Sequence, residues 1–235
     1  TLIPPTDTVP DNATLEIDGI EIEFQMAHGT EADSEMMMFF PQFNVLNTAE
    51  ITSQHLHNIY TIRGAAIRDA SAWSHYIDKA LERFGDRTIV LIAQHHWPIW
   101  NSERVVDYLG AQRDLYKYIH DQSVRMMNKG MLPGDIAENI KLPASLAQEW
   151  HARGYYGTLK HNARAVYQRY MGWYDANPAH LDPLPPQQNA SRVIDYMGGI
   201  DKVVERARGD FAKGDYRWVA WIMSEAVFAD PDNQA

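Results

Sequence analysis

The 235-residue chain has no cysteine. That excludes a disulfide framework and any thiolate metal site, so a metal would have to be held by His, Asp and Glu. Long apolar runs are missing as well. The longest, Met36 to Phe40 and Ile89 to Ala93, are far below the roughly 20 residues of a membrane span. Basic residues are absent from the first fifty positions, which hold ten acids (Asp7, Asp11, Glu16, Asp18, Glu21, Glu23, Glu31, Asp33, Glu35 and Glu50) and no Lys or Arg. The rest of the chain balances 21 acids against 21 bases, so the whole net charge of −10 lies in that first fifth. Such a surface argues against a nucleic-acid or anionic-membrane partner. Neither a leader peptide nor an initiating Met is present in these residues, and both ends of the chain read as internal to a longer polypeptide.

What is there begins with period-two alternation. Leu15 and Ile17 alternate with acids, Asp18-Gly19 supplies a tight turn, and Ile20, Ile22, Phe24 and Met26 alternate again, which predicts a hairpin. Glu35 to Phe40 and Asn44 to Thr48 read as two further strands, completing a β-meander. From Ser71 the period becomes helical through Trp73, Ile77, Ala80 and Phe84, with Gly85 as the stop. Thr88 to Ala93, almost continuously apolar, suits a central strand. A meander, a helix and a buried strand describe a layered α/β unit. After Asn101 the pattern is helical throughout: a long helix capped by Ser102, shorter ones near 134–140, 143–152 and 158–174, a proline-rich strap over 177–187, a helix over 190–197, and a tetratricopeptide-like hairpin of Ile200–Phe211 and Tyr216–Phe228.

Three groups stand where chemistry is commonly done, in loops at strand ends: Glu31, Glu50 and His95. Carboxylate and imidazole make a donor set suited to zinc or manganese, and exposed strand-end acids are the alternative. A second cluster runs from His55-Leu56-His57-Asn58 to Arg63 and Arg68, which reads either as an oxyanion site or as a capped loop whose arginines pair with nearby acids. In the third, Arg153-Gly154-Tyr155-Tyr156-Gly157 runs into a helix carrying Tyr167, where aromatics at helical spacing are more often core than ligand contacts, although glycines flanking paired tyrosines suggest a fixed loop.

These motifs carry a resemblance. His28-Gly29-Thr30-Glu31-Ala32, Thr48-Ala49-Glu50, His57-Asn58-Ile59-Tyr60-Thr61-Ile62-Arg63-Gly64-Ala65 with Arg68-Asp69-Ala70, Gln94-His95-His96-Trp97-Pro98, Gln112 to Gln122, Arg153 to Gly157 and Gly172 to Pro178 resemble the alkylsulfatases of the metallo-β-lactamase superfamily. The resemblance implies the second half of an αββα catalytic domain over 1–110 and an all-α dimerisation domain over 111–235. It implies two zinc ions, with Glu31, Glu50 and His95 as metal ligands, His96 and Glu35 as their substitutes, and Glu50 as the bridging carboxylate. Asn58, Arg63, Arg68 and Tyr167 would hold the sulfate group, and Trp97, Trp100 and Tyr155 would line a trough for the alkyl chain. The implied partners are an alkyl sulfate and a second copy of the chain, in a periplasmic or secreted bacterial setting. One departure counts: the family's first metal motif, two alternating histidines followed by Asp-His, is absent here. The remaining ligands would come from other segments of the same protein. A vestigial lactamase-like half carrying a non-catalytic assembly module, and a phosphoesterase of the same fold, are the rival readings.

Overall fold

The computed structural model describes residues 3–233. Its sheet has six strands in sequence order: β1 (Thr14–Ile17), β2 (Ile20–Met26), β3 (Met36–Phe40), β4 (Val45–Asn47), β5 (Val90–Ile92) and β6 (Ile99–Trp100). The first four form the expected antiparallel meander. Between β4 and β5 the chain crosses over through helix α1 (Ala70–Phe84), so this pair is parallel, with Val45 opposite Val90 and Asn47 opposite Ile92. A parallel neighbour requires such a crossover, because a tight turn can only reverse direction.

Alternation decides which strand residues enter the core. Met37 and Phe39 of β3 and Leu46 of β4 are buried beside Trp73, Ile77 and Phe84 of α1, with Phe39 stacked on Phe84 at 5.1 Å. In contrast β1 is exposed along its whole length, so its alternation does not bury a face. Helix α1 starts one residue before the expected Ser71, because the Asp69 side chain accepts hydrogen bonds from the Ser71 and Ala72 amides. The same device starts helix α2 (Ser102–Met127), where the cap is Asn101 and not Ser102. Helices α3 (Pro133–Asn139), α4 (Ala144–Ala147) and α5 (Leu159–Met171) follow, then α6 (Pro186–Tyr196), α7 (Ile200–Ala212) and α8 (Tyr216–Ala229).

The chain divides into two compact units, the first ending at Trp173 and the second starting at Tyr174. The boundary expected at 110 falls inside α2. Val105, Leu109, Leu115 and Ile119 of α2 are buried in the same core as α1, so this helix cannot belong to a separate body. The second unit has its own core of Ile194, Val203, Ala207, Ile222 and Ala226, in which α6, α7 and α8 all share. No helix among the described residues is long and apolar enough to cross a membrane.

Candidate metal centre and oxyanion pocket

One edge of the sheet gathers the candidate residues, and strand register explains why. Asn47 and Ile92 are partners in the parallel β4–β5 pair. Glu50 and His95 each lie three residues beyond, and His95 Nε2 stands 3.1 Å from Glu50 Oε1. The turns that aim them are built locally. Asn47 Oδ1 accepts from the Ala49 amide at 2.9 Å, Ile51 N donates to Thr48 O at 2.9 Å, and Gln94 N donates to Ala49 O at 3.1 Å, tying the two turns together. Ala49 and His95 take φ of 50° and 72°, left-handed conformations that side chains other than Gly adopt sparingly and that recur at functional sites.

Antiparallel pairing of β2 with β3 brings the β2–β3 loop to the same edge. It carries Glu31 and ends at Glu35, whose Oε1 accepts from the Glu50 amide at 3.2 Å. Glu31, Glu50 and His57 each offer a ligand atom, all lying within 4.8 Å of one another. Burial, with the nearby charges of Glu31 and Glu50, pushes the Glu35 carboxyl up to about 7. Burial alone would raise Glu50 as well, but the imidazoles of His95 and His57 outweigh it and hold Glu50 below the usual carboxylate range.

Opposite the carboxylates lies a pocket of donors. Arg68 is buried and donates from Nε to the Glu31 carbonyl at 3.0 Å, from Nη2 to Glu31 Oε1, and from Nη1 to both Asn58 O at 2.9 Å and Asn58 Oδ1. With Asn58 Oδ1 so engaged, the Asn58 amide NH₂ is left to donate elsewhere. His57, fully buried, places Nδ1 2.9 Å from Asn58 O and Nε2 3.3 Å from Glu50 Oε2, and so touches both groups. Burial holds its imidazole below its ordinary pKa. Neighbouring His55 is pushed down to about 4 by burial and by the histidines around it. Its Nδ1 lies 2.8 Å from His96 Nε2, and its ring lies against Tyr155 and Tyr156.

Of the residues singled out from sequence, Glu31, Glu35, Glu50, Asn58, Arg68 and His95 converge here, and His96 reaches the site through His55. Arg63 stands on an exposed turn closed by Gly64 N donating to Thr61 O at 3.1 Å. Tyr167 is not brought to this edge. It packs with Ile136, Ile140 and Ala163 where α5 meets α3. Trp97, Trp100 and Tyr155 are exposed; Trp97 joins Gln54, Ile99, Arg104 and Trp150 around a cavity of about 540 Å³. His57 is the residue that sequence reasoning missed. Its alternation with His55 is visible, but nothing local says that an irregular loop would turn it toward Glu50.

A metal fits these side chains. Three carboxylates face a single guanidinium, that of Arg68, and two imidazoles flank the central one. These are the hard-to-borderline donors that zinc takes.

Comparison with known proteins assigns the chain. Residues 132–235 match the family model described as alkyl sulfatase dimerisation. The alkyl/aryl-sulfatase BDS1 of Saccharomyces cerevisiae is 53% identical over 234 residues, 99% of this chain and 36% of that protein. The (R)-specific secondary-alkylsulfatase of Pseudomonas sp. is 49% identical over 93% of this chain and 33% of its own length. The solved structure of the stereoselective inverting sec-alkylsulfatase Pisa1 from Pseudomonas sp. superposes with a TM-score of 0.96 at 47% identity, covering 99% of this chain and 37% of that one. The chain belongs to the alkylsulfatase family. It spans about a third of the length of these relatives, and its mixed sheet and helices are those of the alkylsulfatase structure.

Proposed function

We propose that this chain is part of a zinc-dependent alkylsulfatase that hydrolyses alkyl sulfate esters to an alcohol and inorganic sulfate. The observation that carries the reading is the meeting of Glu31, Glu50 and His57 with Asn58 and Arg68 at one sheet edge, where His95 reaches Glu50, in a chain whose relatives are named alkylsulfatases. Glu31, Glu50 and His95 hold the metal, with Glu50 between two imidazoles so that each oxygen is oriented. Other segments of the protein supply the remaining ligands of a two-zinc site. When bound, such a pair supplies a water whose pKa is lowered to near neutrality. Asn58 and Arg68 hold the sulfate group, with Arg63 reaching in from its exposed turn, and their donors offset the charge that grows as sulfate departs. Tyr167, packed against α3, has no contact that supports a role with sulfate.

The helical region serves as a homodimerisation module, a reading supported by the family model over 132–235. A periplasmic or secreted bacterial setting rests on the family resemblance alone. The test uses the whole polypeptide. Dodecyl sulfate should release sulfate, dodecyl phosphate should not, and Glu50→Ala should lose both zinc and at least ~10²-fold in turnover. Turnover and zinc content unchanged in Glu50→Ala would overturn the assignment, and preference for the phosphate ester would favour the phosphoesterase reading.

A further inference from the structure

The segment Leu56–Ile59 carries His57 and Asn58, yet it belongs to no strand. Its backbone is instead templated by a stretch about one hundred residues away. Leu56 N donates to Arg153 O at 2.9 Å, and Gly157 N donates to Leu56 O at 2.9 Å. Asn162, on the first turns of α5 and 1% exposed, completes the pairing. Its Nδ2 donates to His57 O at 2.9 Å, and its Oδ1 accepts from Ile59 N at 3.0 Å. One carboxamide thus takes the carbonyl before Asn58 and the amide after it, as a neighbouring strand would. The carboxamide carries its donor and its acceptor side by side in one plane, as a peptide group presents them to a neighbouring strand. Gly157 makes the approach possible: a Cβ there would lie 2.6 Å from His57 C and O and from Asn58 N.

We infer that Asn162 is a positioning residue for the oxyanion pocket: by holding the backbone on both sides of Asn58 it sets the Asn58–Arg68 pair that receives the sulfate group. Arg68 bonds both the carbonyl and the side-chain oxygen of Asn58, so a rotation of this peptide moves the guanidinium's partners together. Asn162 touches neither Glu31, Glu50 nor His95 among its hydrogen bonds. It reaches the metal side only indirectly, through His57 and its bond to Glu50, so its loss should weaken anion binding more than it weakens metal binding.

This inference rests on the proposed sulfatase reading, and the experiment separates the two. In the whole polypeptide, Asn162→Ala and the near-isosteric Asn162→Asp are compared with wild type for inhibition by inorganic sulfate, for KM and kcat on dodecyl sulfate, and for zinc content. Asn162→Ala should raise the sulfate inhibition constant and KM in parallel by about tenfold, with kcat within about threefold and zinc retained. Asn162→Asp keeps the acceptor for Ile59 N but sets a buried carboxylate oxygen against His57 O, so it should raise both constants at least as much as alanine does; it stands as the test if the alanine variant does not fold. Sulfate inhibition and KM within about twofold of wild type in the folded variants would overturn the role, as would a loss of zinc in step with activity. A wild-type polypeptide that neither hydrolyses alkyl sulfate nor is inhibited by sulfate would sink the functional reading itself.

Discussion

The two units bury opposite things. In the first, the core beneath the sheet edge takes in polar groups: Thr48, Thr52, His57, Asn58, Arg68 and Asn162 are all at least nine-tenths buried, and hydrogen bonds hold them. In the second, a thin core of five small and aliphatic residues leaves Tyr196, Phe211, Tyr216, Trp218, Trp221 and Phe228 exposed. Burying a polar group costs free energy unless it is partnered, so a fold that buries many gives up stability for position. The difference teaches that the first unit gives its interior to a partnered polar site and the second to a small aliphatic core.

The sharpest way to break that contrast is at Arg68. Its side chain is 7% exposed and joins Glu31 to Asn58. Arg68→Ala should lower kcat/KM for alkyl sulfate by about 10²- to 10³-fold and destabilise the fold by about 3–5 kcal/mol, since it leaves a carboxylate without its partner. Steady-state kinetics and urea denaturation check both. Next comes Ile222, 2% exposed in the core of the second unit. Ile222→Ala should destabilise that unit by about 2–4 kcal/mol and weaken self-association in sedimentation, while the sulfate inhibition constant stays put. A change in that constant would join what the comparison keeps apart.

Smallest is Glu35. Its carboxyl sits near 7 in the folded chain against an ordinary 4.5. A raised acid contributes stability that is fully present below 4.5 and lost as pH rises through 7. In metal-free protein, Glu35→Gln should therefore melt a few degrees (~2–4 °C) higher than wild type above pH 7, with no gain below pH 4.5. Differential scanning calorimetry across that range reads it.

Much of this was legible in the sequence. The meander followed from alternation at Ile20 to Met26 and from the apolar run Met36 to Phe40, and α1 from the spacing of Trp73, Ile77 and Phe84, because local patterns survive folding. Glu31, Glu50 and His95 were picked out as groups at strand ends, and the parallel register of β4 and β5 shows why the latter two meet. What escaped lies where no period exists. His57 reaches Glu50 through a loop whose course is set by Asn162, some hundred residues on. Tyr167, given to the sulfate group by the resemblance, packs against Ile136 and Ile140, a partnership that only the α3–α5 packing decides. Near 110 a change of secondary-structure type is visible in sequence, whereas the burial of α2 against α1 is not.

The central claim is that Glu31, Glu50 and His95 hold zinc at this sheet edge. It is tested most directly by a crystal structure of the whole polypeptide with anomalous data collected on both sides of the zinc edge. The account predicts two peaks, with oxygens of Glu31 and Glu50 and a nitrogen of His95 within about 2.0–2.2 Å of zinc. Anomalous peaks whose ligands include none of these three residues, in a protein that still releases sulfate from dodecyl sulfate, would contradict it.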